Sequence, residues 1–179
     1  MPKAKQDKNN APYFLALARI TLGFTFLWAF FDKLFGLGFA TCRDPKTEVV
    51  TNMCSKAWIN GGSPTAGFLK GATRGPLESF YQGLAGNGFI DVLFMAGLLL
   101  IGLALIAGIG MRIATISGTL LLLMMWSATL LPENNPIIDD HIVYSLVLLT
   151  LLAANSQQKW GLRGWWVNQS LVKRFPILE

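Results

Sequence analysis

Charge is scarce in this sequence. Only 14% of its 179 residues are Asp, Glu, Lys or Arg, against 53% hydrophobic ones, and the mean hydropathy is +0.46. An average soluble domain is about one-quarter charged, so a water-soluble globule is a poor description of this chain. Histidine is scarcer still: His141 is the only one, which excludes bis-histidine haem ligation. Two cysteines, Cys42 and Cys54, are too few for an iron–sulfur cluster of the four-cysteine kind. No Gly-rich nucleotide fingerprint set between a strand and a helix is present, and no metal site is expected. Electrons for any redox chemistry would have to come from a substrate, a bound quinone or a partner protein.

What the chain has instead is length in its apolar runs. Four of them, over 13–37, 89–109, 113–131 and 137–155, account for the high hydropathy. At 1.5 Å per helical residue, each is long enough or nearly so to cross a hydrocarbon core about 30 Å thick. The sequence therefore predicts an all-α membrane protein, a four-transmembrane-helix bundle in a lipid bilayer. The first run is too long for a signal peptide and is expected to stay as the first membrane helix. The second and third are joined by the tight "AGIGMR" and should form a helical hairpin. Ala104 and Gly108, and likewise Ala114 and Gly118, have the small-xxx-small spacing that lets helix backbones approach.

The net charge of +5 would suit nucleic acid, but the basic residues lie around the apolar runs rather than in one patch, so no nucleic-acid partner is expected. Lys3, Lys5 and Lys8, then Arg112, then Lys159, Arg163, Lys173 and Arg174 fall in three segments that share one side if all four runs span. The opposite side carries "PENNPIIDD", without Lys or Arg. This bias places both termini, the polar tail 1–12 and the aromatic interfacial tail 156–179, in the cytoplasm of a multi-pass protein. Residues 38–88 then form a long extracytoplasmic loop, punctuated by "NGGSP", "RGP" and "GNG". A connection of that length is expected to have structure of its own. In an oxidising compartment Cys42 and Cys54 read better as a structural disulfide than as a redox pair, because nothing here resembles C-x-x-C.

Topology concentrates ionisable groups at the outer ends of the helices: Asp32 and Lys33, Asp91, Glu133, and Asp139, Asp140 and His141. Such groups at membrane depth are costly and commonly face a bundle interior. His141 and Tyr144 can share a helix face. Together with Asp139 and Asp140 they are candidates for proton transfer, and Asp32, Lys33, Asp91, Glu133, Arg19 and Trp28 for holding a quinone or substrate. Plainer readings stand beside these. Asp139 and Asp140 suit the start of any helix, Asp32–Lys33 suits an interfacial charge pair, and Arg19 either snorkels to the inner surface or finds a partner inside.

The stretches "LARITLGFTFLWAFFDKLFGLGFA", "AWINGGSPTAGFL", "GLAGNGFIDVLFMAGLLLIGLALIAGIGMRIA" and "PENNPIIDDHIVYSLVLL" resemble the DoxX/DoxD family of small four-helix bacterial membrane proteins. The resemblance implies residence in the bacterial plasma membrane. It also implies kinship with the large membrane subunit of thiosulfate:quinone oxidoreductase, which oxidises thiosulfate to tetrathionate and reduces membrane quinone. For a dianion such as thiosulfate, Lys33, Arg43, Lys46, Lys56, Lys70 and Arg74 are the available basic groups. A second reading is a non-catalytic accessory or assembly subunit of a larger respiratory or redox complex, which the missing cofactor ligands favour. Homo-oligomerisation stays open. A transporter has little to build on, since neither an inverted repeat nor a broken helix is evident.

Overall fold

The computed structural model describes residues 10–132, 135 and 137–179. Among these residues the chain is helical without strands, apart from two isolated bridges, Arg43 with Val50 and Arg74 with Thr129. Four longer helices dominate: α1 (Ala11–Phe35), α4 (Gly88–Ala107), α5 (Met111–Ala128) and α6 (Asp140–Ala153). Between α1 and α4 lie two single-turn helices, α2 (Ala66–Gly71) and α3 (Glu78–Gly83). Two more, α7 (Arg163–Trp166) and α8 (Ser170–Arg174), follow α6.

By length and composition α1, α4 and α5 can each cross a membrane. The fourth run is shorter in the structure than the 137–155 its apolarity suggests. Its helix has 14 residues, or about 21 Å at the α-helical rise. The cause is Asp139, whose carboxylate accepts from the backbone N–H groups of His141 at 3.1 Å and Ile142 at 3.2 Å, so that the helix starts there.

α1 packs along α4, α4 against α5, α5 along α6, and α6 returns to α1. The shared core draws Phe26 and Phe30 from α1, Met95 and Leu105 from α4, Leu122 from α5 and Leu148 from α6. The outward faces are apolar too: Leu100, Ile116, Leu120 and Leu146 are all exposed. Water would make such a coat costly, whereas hydrocarbon makes it neutral.

Where α1 meets α4 the backbones nearly touch. A Cβ built on Gly23 would lie 3.0 Å from the Gly102 carbonyl oxygen, and one on Gly102 the same distance from that of Gly23. Gly118 opens α5 to α6 in the same way, since a Cβ there would stand 2.9 Å from Leu148. Gly108, by contrast, ends α4 as a left-handed cap with φ +69°.

Residues 36–87 gather at the end of the molecule where α1 stops and α4 starts. Gly36 (φ +65°) turns the chain out of α1, and the Cys42–Cys54 disulfide closes the next segment. Leu69 of α2 and Tyr81 of α3 form a second small core with Ala128 at the end of α5. Tyr81 and Ser127 share a hydroxyl–hydroxyl hydrogen bond of 2.6 Å. At the other end, the segment after α6 folds back beneath the α4–α5 turn. There Glu179 meets Arg163 and Arg112, and Trp166 Nε1 donates to the Leu178 carbonyl at 2.6 Å.

Candidate functional site

A cavity lies between α4 and α5, roofed by α2 and by the loop that precedes it. Its volume is about 1110 Å³, just above the range usual for small-molecule pockets. Leu93, Phe94, Gly97 and Ile101 of α4 form one wall, and Leu120, Leu121 and Met124 of α5 the other. The α4 residues recur at helical spacing because one face of that helix looks into the cavity. Around the loop end stand Lys33, Arg43, Lys56 and Lys70, and among the described residues no Asp or Glu belongs to the lining. The combination is a basic mouth over an apolar throat. Lys46 and Arg74, the other two basic candidates, do not line it.

The acidic candidates have separate partners. Asp32, 2% exposed, accepts from the backbone N–H of Phe39 at 3.0 Å and of Ala40 at 2.9 Å. It thereby fixes the chain just after α1. Asp91, 6% exposed, accepts from Ser63 Oγ at 2.9 Å, Thr65 Oγ1 at 2.6 Å and Thr65 N at 3.2 Å. Both carboxylates anchor the loop, and the hydrogen bonds of neither reach the start of α6. Asp139 does join His141, whose Nδ1 lies 2.7 Å from its Oδ2, and both side chains are half-buried. Asp140 is exposed. Tyr144 points toward α1, into a smaller groove of about 400 Å³ bounded by Thr21 and Thr25. Glu133 lies outside the described residues.

Trp28 stacks on Phe24 and meets Phe39 edge-on at 5.0 Å, so it too braces the loop and stays clear of the cavity. Arg19 takes the interior alternative. It is 1% exposed, and its guanidinium donates to the carbonyls of Leu105, Ile106 (2.9 Å), Lys159 (3.1 Å) and Trp160 (2.8 Å). Two of these belong to the last turn of α4, where the helix dipole and unpaired carbonyls favour a cation. This arrangement positions chain segments, and of the Arg19 guanidinium only the buried Nε is left without a partner among the described residues.

Sequence reasoning named Lys33, Arg43, Lys56 and Lys70 but missed the walls. The available signal was the apolar face Leu93–Phe94–Gly97–Ile101, with a glycine where a side chain would otherwise fill the space. A Cβ on Gly97 would meet only Leu121, at 3.9 Å.

No protein-family model matches the chain, and no curated protein or solved structure matches it either.

Proposed function

We propose that the chain is a multi-pass protein of the bacterial plasma membrane, of the DoxX/DoxD type, acting as the membrane subunit of a quinone-linked oxidoreductase. In this reading α1, α4, α5 and α6 form a four-helix transmembrane bundle over 13–155. Both terminal tails are cytoplasmic, and loop 38–88 lies outside. The closed circuit of contacts among the four helices supports the bundle, and the shortness of α6 implies a bilayer locally thinned or a partner beside that helix.

One observation carries the functional reading: the cavity between α4 and α5, apolar along its walls and basic at its mouth. Its throat suits a quinone ring and apolar tail entering from the membrane. Its mouth suits a small dianion such as thiosulfate. Two thiosulfates joined as tetrathionate release two electrons, and a quinone takes these up with two protons to become the quinol. Lys33, with its ammonium 5.9 Å from the centre of the Phe94 ring, stands where mouth and throat meet. The Asp139–His141 pair is a titratable group at the loop end placed to pass protons to the outer surface.

A second reading is supported by the partners of Asp32 and Asp91. With both carboxylates anchoring the loop, the chain has a well-held outer surface and few free catalytic groups, as an accessory subunit of a larger redox complex would. The deciding experiment is thiosulfate-dependent reduction of a soluble quinone analogue by purified protein, beside the Lys56→Gln/Lys70→Gln and His141→Ala variants. Activity that falls in the double-lysine variant supports catalysis at the cavity. Inactivity of the wild type, together with copurification in fixed ratio with a larger complex, supports the accessory role.

A further inference from the structure

The cavity is better matched to a charged amphiphile than a neutral quinone alone requires. From Ile90 to Ile101, about 16 Å of α4 runs beside it, the apolar depth an acyl chain can use. Arg43 is already paired with Glu48 at 2.7 Å, but Lys33, Lys56 and Lys70 form no ion pair among the described residues. Lys56 shares its field with Asp44, which lies outside the lining. Three positive charges stand over an apolar slot with no ion pair among the described residues and only the more distant fields of Asp32 on Lys33 and Asp44 on Lys56, an arrangement that suits one negative head group better than a neutral ligand.

We propose that this cavity binds one anionic phospholipid, with its phosphate among Lys33, Lys56 and Lys70 and one acyl chain between α4 and α5, and that this lipid competes with the quinone for the throat. The inference rests on reading the cavity as a membrane-facing ligand site and is independent of the redox chemistry. A lipid merely coating the protein would contact the whole apolar circumference and ignore Gly97. A lipid held here needs both the lysines and the space that Gly97 leaves.

The test uses the full chain in nanodiscs of phosphatidylcholine containing a minor fraction of phosphatidylglycerol, with retained lipid counted by native mass spectrometry. One phosphatidylglycerol per chain is expected. Its affinity should fall about fivefold for each of Lys56→Gln and Lys70→Gln. It should be lost in Gly97→Phe and in Leu120→Trp, either of which fills the throat. Lys173→Gln/Arg174→Gln, at the opposite end of the molecule, should leave it unchanged. Equal retention of the two lipids, or retention indifferent to the lysines or to both throat variants, overturns the proposal. Quinone binding measured in pure phosphatidylcholine separates the two readings. Quinone that binds there and is not displaced by phosphatidylglycerol overturns the lipid site alone. Retained phosphatidylglycerol without quinone binding leaves the lipid site standing and removes the proposed function.

Discussion

Thr65 donates its hydroxyl to Asp91 Oδ1 at 2.6 Å, tying the entry to α2 to the first turn of α4. The same oxygen also accepts from Ser63 and from the Thr65 backbone, so one carboxylate holds the roof of the cavity. Asp91→Ala leaves those donors buried without a partner and is expected to destabilise the protein by about 2 kcal/mol. Asp91→Asn keeps an acceptor oxygen and should cost less. Limited proteolysis around residues 61–66, together with thermal unfolding in detergent, checks both.

Arg19 is expected to be intolerant of change for a different reason. Arg19→Met removes the donor to four carbonyls at once, at an expected cost of about 3 kcal/mol or more. Arg19→Lys keeps the charge but loses the fork that reaches two chain segments, and should recover only part of the loss. Unfolding midpoints of the two variants, compared with wild type, give the order directly.

The Cys42–Cys54 bridge closes a short loop at the cavity mouth, with a sequence separation of 12. Its removal by Cys42→Ser/Cys54→Ser should cost about 3 kcal/mol on loop-closure grounds. If the chain reduces quinone as proposed, a purely structural link should leave that activity insensitive to mild reductant that does not open the bridge. Thiol titration run alongside the activity assay measures both.

Acid should loosen the loop near Asp44. The backbone N–H of Thr47, then that of Lys46, with a further contribution from the Lys56 charge, hold the Asp44 carboxyl below its ordinary value of 3.8. A depressed carboxylate stabilises the fold above its unfolded value, and the contribution is lost as pH falls through the lower folded value. Protection of the Lys46 and Thr47 amides, corrected for the intrinsic exchange rate, should therefore fall as pH drops below 3.8, and Lys56→Gln should shift that onset upward.

The helices were legible because apolar residues sustained over about 18 positions or more fit little except a membrane span. Their ends followed less well, as at α6, where Asp139 caps a helix that hydropathy alone would start earlier. The disulfide was legible from context. The sequence placed Asp32, Asp91 and Asp139 near the loop-side ends of their helices, but it did not give their partners. Asp32 and Asp91 bond to backbone and hydroxyl groups of the loop, partners that no charge pattern advertises. Arg19 left two alternatives open because its partners are carbonyls, which every residue has. The Gly23–Gly102 crossing went unseen because it joins glycines of different helices, whereas spacing rules compare positions within one.

The partners of Arg19 impose an order in time. Its first carbonyls, on Leu105 and Ile106, are 86 and 87 residues further along the chain, and those of Lys159 and Trp160 are 140 and 141 further. At a synthesis rate of about 5–20 residues per second, its last partners emerge roughly 7–28 s after Arg19 itself. Until then its guanidinium has only the carbonyls at the end of α4 to donate to. The closing segment after α6 thus acts as the final stitch, and a nascent chain halted before residue 159 would hold Arg19 by the α4 carbonyls alone.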